Sequence, residues 1–76
     1  MNDIIKNNWT KSLEIIKKTI SFQAFQTWFN AIKLVSGDED QITLQVPNRF
    51  HYEWVDSKYG ALIKKTIYKQ FKNKNL

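Results

Sequence analysis

Along the first twenty residues the apolar positions Ile5, Trp9, Leu13, Ile16 and Ile20 recur at spacings of four, four, three and four. This is the period of one helical face, and it predicts an amphipathic helix over 3–19. Asn2 or Asp3 is placed to cap its start, and Lys17 and Lys18 suit the negative end of the helix dipole. Ile4 and Ile15 fall off the stripe and leave a second, weaker apolar edge. Ser21 then caps a short second helix over roughly 22–30, whose stripe is Phe22, Phe25 and Phe29 with Trp28 beside it. Four aromatics this close together are costly to leave in water and are expected at the hub of the core. The connection between the two helices is short, so they form a helical hairpin.

The pattern then changes period. Ile32, Leu34 and Val35 open an extended segment, and Ser36-Gly37-Asp38-Glu39-Asp40 reads as a turn. Ile42, Leu44 and Val46 alternate with Gln41, Thr43 and Gln45, the signature of a half-buried strand. Pro47 lacks a backbone donor and ends that strand, closing a β-hairpin. Asn48 is an N-cap, and from Arg49 to about Phe71 a final helix buries Val55, Tyr59, Ile63, Ile67 and Phe71, with Leu62 alongside. Gly60 lies inside it, marking a kink or a close approach. The expected fold is α+β in the order α-α-β-β-α, one domain over 1–76, ordered over about 3–71 with a frayed tail at 72–76.

Composition adds limits. The chain has 76 residues, no Cys and two Gly. Disulfide scaffolds and cysteine zinc sites are excluded, and no Gly-rich phosphate loop can be built. No apolar run approaches the ~20 residues of a membrane span, so no membrane role is expected. The net charge is +5, and all of it comes from one end: residues 57–76 hold six lysines and no acid, whereas 1–56 hold seven acids against six cations. At about 100° per residue, Lys58, Lys65, Lys69 and Lys72 share one sector of the last helix. They are either a solvated face or candidate nucleic-acid contacts.

No catalytic constellation is present. His51, the one His, has no Ser or acid at a triad's spacing and is expected in a surface or capping role. Asp38-Glu39-Asp40 lacks a calcium loop's alternating ligands and reads as a solvated turn. No enzyme activity, cofactor or metal is expected; the chain binds something. Phe50 opens the last helix away from its buried ridge, between polar Arg49 and His51, and is expected to be exposed as a contact residue. Trp54 points the same way, but Trp is usually well buried, so it is expected to be covered. Trp9 belongs to the core by pattern, yet its place near a chain end leaves room for it to stand half out, where a Trp anchors self-association.

The ordered set Trp9, Phe25-Gln26-Thr27-Trp28, Leu44-Gln45-Val46-Pro47-Asn48-Arg49-Phe50, Trp54 and Tyr59 resembles the N-terminal domain of the bacterial replication initiator DnaA, over about residues 5–68. The resemblance implies a KH-like fold acting as a protein-interaction module in the cytoplasm, nucleoid-associated. Such a module self-associates and recruits the replicative helicase and a regulator protein. Origin DNA is bound through the rest of the family's protein, which also carries its ATPase. Trp9 aligns with the family's self-association Trp and Phe50, beside Arg49, with its helicase-contacting Phe. The family's helicase-contacting Glu falls at Ala24, so that polar contact is absent and Gln23 is the nearest stand-in. Family members commonly add a third strand after the last helix. Phe71–Leu76 is too short and polar to supply one, so two strands are expected.

An alternative reading is a single-stranded nucleic-acid module, with Lys58, Lys65, Lys69 and Lys72 along the backbone and aromatics stacking on bases. The Gly-x-x-Gly clamp of RNA-binding KH domains is missing, which argues for weak single-stranded DNA binding at most.

Overall fold

The computed structural model describes residues 3–38 and 40–72, with side chains through residue 71. The Asn2 cap, Glu39 of the acidic turn, the Lys72 side chain and the tail at 73–76 lie outside the described residues. Helix α1 spans Asp3–Thr19, and a single turn of α2, Phe22–Ala24, runs directly into a π-helical segment, Phe25–Phe29. Strands β1 (Lys33–Gly37) and β2 (Ile42–Gln45) follow, then the long helix α3 (Arg49–Lys72). The fold is α+β in the order read from the periodicity.

Helix α1 buries Ile5, Trp9, Ser12 and Ile16, with Leu13 and Ile20 half-buried, while Ile4 and Ile15 stay exposed. Ser12 is fully enclosed, which its hydroxyl tolerates by donating to the Asn8 carbonyl at 2.8 Å. Ser21 caps α2: its hydroxyl accepts from the Ala24 N–H at 3.1 Å.

The second helix departs from its expected form. Asn30 N–H donates to the Phe25 carbonyl five residues back, at 3.2 Å. The wider turn inserts a residue, so Phe22 no longer shares a face with Phe29. Phe25 and Phe29 go into the core and stack at 5.6 Å, whereas Phe22 turns out to solvent, 64% exposed. The expectation that all four aromatics serve the core therefore fails at Phe22.

The two strands pair antiparallel, Leu34 opposite Leu44 and Gly37 opposite Ile42, with the register stepping between Leu34 and Ser36. Val35 is the extra residue of this bulge and faces solvent. The strand continues through Gly37, which pairs with Ile42, two residues further than composition suggests, and Gly37 lies close to α1. A Cβ there would meet Ile5 Cγ2 at 2.9 Å. In the turn that follows, Asp38 Oδ1 accepts from the backbone N–H groups of Asp40 (2.8 Å) and Gln41 (3.0 Å).

Helix α3 is unbroken through Gly60, where an added Cβ would meet only the carboxylate of Asp56 in the same helix. Neither a kink nor an approaching element explains this glycine. The helix buries His51, Val55, Gly60 and Thr66 most deeply, with Tyr59, Leu62, Ile63 and Ile67 half-buried between them. Leu62 and Thr66 border α1 at Ile15 and Thr19, and Ile63 borders Leu44 of the hairpin. The central cluster is Trp9, Ile16, Phe25, Phe29, Ile32 and Val55.

Candidate functional site

The start of α3 is set by one side chain. Asn48 Oδ1 accepts from the His51 N–H at 2.8 Å and the Asn48 carbonyl accepts from Tyr52 N–H at 3.1 Å, so the helix begins abruptly after Pro47. That fixes the directions of the first turn. Phe50 points outward, 69% exposed. Arg49 forms a 3.0 Å ion pair with Glu53 on the next turn, with both side chains largely in solvent.

Phe50, Trp54 and Lys58 step by four and line one side of α3. They meet Trp28, the last but one residue of the π-helical segment. Trp28 stacks on Trp54 at 5.2 Å between ring centroids and lies 6.4 Å from the Phe50 ring. His51 meets Trp28 edge-on at 5.1 Å. The Lys58 ammonium sits 5.6 Å from the centroid of the Trp54 ring, on the rim. The result is an apolar surface of three rings held by two elements and edged by Arg49, Glu53 and Lys58. Such a surface can bury a partner's apolar side chains with charges at its edge, which is how interface centres are built. Among the described residues no group of three metal-ligating side chains converges.

The site differs from expectation at three positions. Trp54, expected to be covered, is 41% exposed, because its stacking partner Trp28 is itself at the surface end of the π-helical segment. Trp28, assigned to the core with the other aromatics, is half-buried and is the hub of the exposed cluster. His51, expected at the surface or capping, is buried at 7% exposed, and its Nε2–H donates to the Trp28 carbonyl at 2.7 Å. The spacing of Phe50, Trp54 and Lys58, all off the Val55–Phe71 ridge, was the available signal for the exposed stripe.

The remaining candidates are dispersed. Ala24 is half-buried and Gln23 exposed, with Ala24 about one turn before Trp28 and so bordering the same side. Trp9 lies in α1 and is only 7% exposed. Lys65 and Lys69 flank a groove between α3 and α1, lined also by Ile15, Thr19, Leu62 and Thr66. Lys58 shares their face of α3 but sits beside the aromatic cluster. No helix of the described residues is long and apolar enough to cross a membrane.

A family model described as the DnaA N-terminal domain matches residues 6–69. Curated relatives with the name chromosomal replication initiator protein DnaA align over most of the chain. That of Flavobacterium psychrophilum is 38% identical over 92% of this chain and 15% of its own length. That of Thermodesulfovibrio yellowstonii is 35% identical over 90% of this chain and 15% of its own. That of Chlorobaculum tepidum is 34% identical over 78% of this chain and 12% of its own. The chain thus spans less than a sixth of the length of these relatives. No solved structure matches it.

Proposed function

We propose that this chain, which belongs to the DnaA N-terminal domain family, is a protein-interaction module of a bacterial replication initiator, and that its docking surface is the Trp28–Phe50–Trp54 cluster. The observation that carries the reading is Phe50: a large apolar ring at the surface, beside two further rings, on a helix start held rigid by its cap. The resemblance assigns the matching Phe of the family to the replicative helicase. We take the helicase as the first partner and a regulator protein as a second user of the same rings. Arg49 sits at the rim beside Phe50. With Ala24 in place of the family's Glu, docking depends more on the rings, and Gln23 offers the nearest polar group. The module acts in the cytoplasm, at the nucleoid.

A pull-down with the helicase of the same organism tests this. Phe50→Ala is expected to abolish capture while leaving the fold intact. Undiminished capture removes Phe50 from the docking site.

Self-association is proposed through α1, whose Trp9 aligns with the family's self-association Trp. Trp9 packs in the core, so the contact with a second copy is placed on the exposed apolar edge of α1, at Ile4 and Ile15. Sedimentation at high concentration is expected to show dimers that Ile15→Glu disperses. A wild-type chain that is monomeric throughout contradicts this.

Lys58 beside Trp54, with Lys65 and Lys69 on the same face, favours a second reading, weak binding of single-stranded DNA. Titration of a labelled strand at two salt concentrations tests it. Affinity falling steeply with salt supports it, and no binding at either removes it.

A further inference from the structure

The docking surface is assembled from two separate pieces of chain, the end of the π-helical segment and the start of α3, and something must hold them in register. The side-chain hydrogen bonds of Ser12, Thr19, Ser21, Asp38 and Arg49 are local, reaching no further than four residues along the chain. His51 bridges twenty-three, from α3 to the Trp28 carbonyl, at 2.7 Å.

The bond answers a need created by the π-helical turn. Asn30 N–H has gone back to Phe25 and Ile32 N–H to Phe29, at 3.2 and 3.0 Å. The chain then leaves the helix for β1, and the Trp28 carbonyl, near the helix end, needs a donor from elsewhere. A carbonyl oxygen only accepts, so Nε2 carries the proton. The imidazole is buried and lies edge-on against the indole of the same residue whose carbonyl it holds. Its own backbone N–H is fixed by Asn48. His51 therefore grips Trp28 at both backbone and side chain from a rigid helix start.

We propose that His51 is a positioning residue for the docking surface: it sets the orientation of Trp28 and thereby the stack with Trp54 and the neighbouring Phe50. This inference rests on the proposed docking role of those rings. Its effect on partner binding runs through Trp28, since His51 itself is covered.

Two variants of the full chain separate the bond from mere packing. His51→Gln carries an amide donor at nearly the reach of Nε2, whereas His51→Phe keeps an aromatic ring and loses the donor. In the wild type, nitrogen-resolved NMR is expected to show His51 protonated on Nε2, with a slowly exchanging ring N–H. His51→Phe is expected to shift the Trp28 carbonyl carbon signal, which reads the bond directly, and weaken helicase binding by about tenfold. His51→Gln is expected to retain the Trp28 signal position and bind within about threefold of wild type. A proton on Nδ1 alone, or a Trp28 signal unmoved in His51→Phe, overturns the inference even if Phe50→Ala abolishes binding. The NMR result stands independently if Phe50→Ala leaves binding unchanged. In that case the docking assignment fails and the clamp is structural.

Discussion

Two aromatic clusters are both built from the π-helical segment and α3, and they have opposite fates. Phe25 and Phe29 stack on each other, and Tyr59 of α3 meets Phe29 edge-on at 5.4 Å; both phenylalanines are buried. Trp28, Phe50 and Trp54 make contacts of the same kind and similar distance, yet Phe50 and Trp54 face water. Ring–ring contact alone does not decide what an aromatic is for. The inner cluster sits under both α1 and α3, so its area is removed from water and stabilises the fold. Among the described residues no third element covers Phe50 and Trp54 of the outer cluster. Trp28 touches the core on its inner side, and the unburied area of Phe50 and Trp54 remains for a partner.

Substitutions grade the contrast. Phe29→Ala removes a ring only 1% exposed and is expected to cost about 3–5 kcal/mol, enough to unfold much of the population; chemical denaturation measures it. Trp9→Ala is expected to fall in the same range of about 3–5 kcal/mol, so any loss of self-association in that variant must be judged against its unfolded fraction. Trp54→Ala loses a stacking partner and part of a half-covered ring, about 1–2 kcal/mol by the same denaturation midpoint. Phe50→Ala is expected to leave stability within about 0.5 kcal/mol, since its surroundings are mostly solvent. Glu53→Gln breaks an exposed ion pair and is expected to change stability by less than about 0.5 kcal/mol. A Phe50→Ala cost near that of Phe29→Ala would erase the distinction between the clusters.

The order and type of elements are legible from periodicity because the elements have clean stripes: Ile5 to Ile16 in α1, Ile42 and Leu44 in β2, Val55 to Phe71 in α3. The π-helical turn is not. Nothing in Phe25-Gln26-Thr27-Trp28-Phe29 signals an extra residue per turn, and that residue moves Phe22 to the surface. The exposure of Phe50 followed from its angle off the ridge, and Trp54 and Lys58 extend the same stripe. The average habits of Trp place Trp54 in the interior, but its partner Trp28 lies at a surface. Polarity alone points His51 to the surface. Its position four residues before Val55 puts it on the buried ridge, and a buried imidazole is acceptable there because a carbonyl left over at the end of the π-helical segment meets it. That pairing joins two distant stretches of chain and has no local signature.

The most direct test of the outer cluster as a docking surface is an NMR titration of the isotope-labelled chain with unlabelled helicase. The signals of Trp28, Phe50, Trp54 and the first turn of α3 are expected to move or broaden first, with those of Phe25, Phe29 and the Lys65–Lys69 face unaffected. Perturbation centred on α1 or on the lysine face, with Phe50 and Trp54 unmoved, would contradict the account.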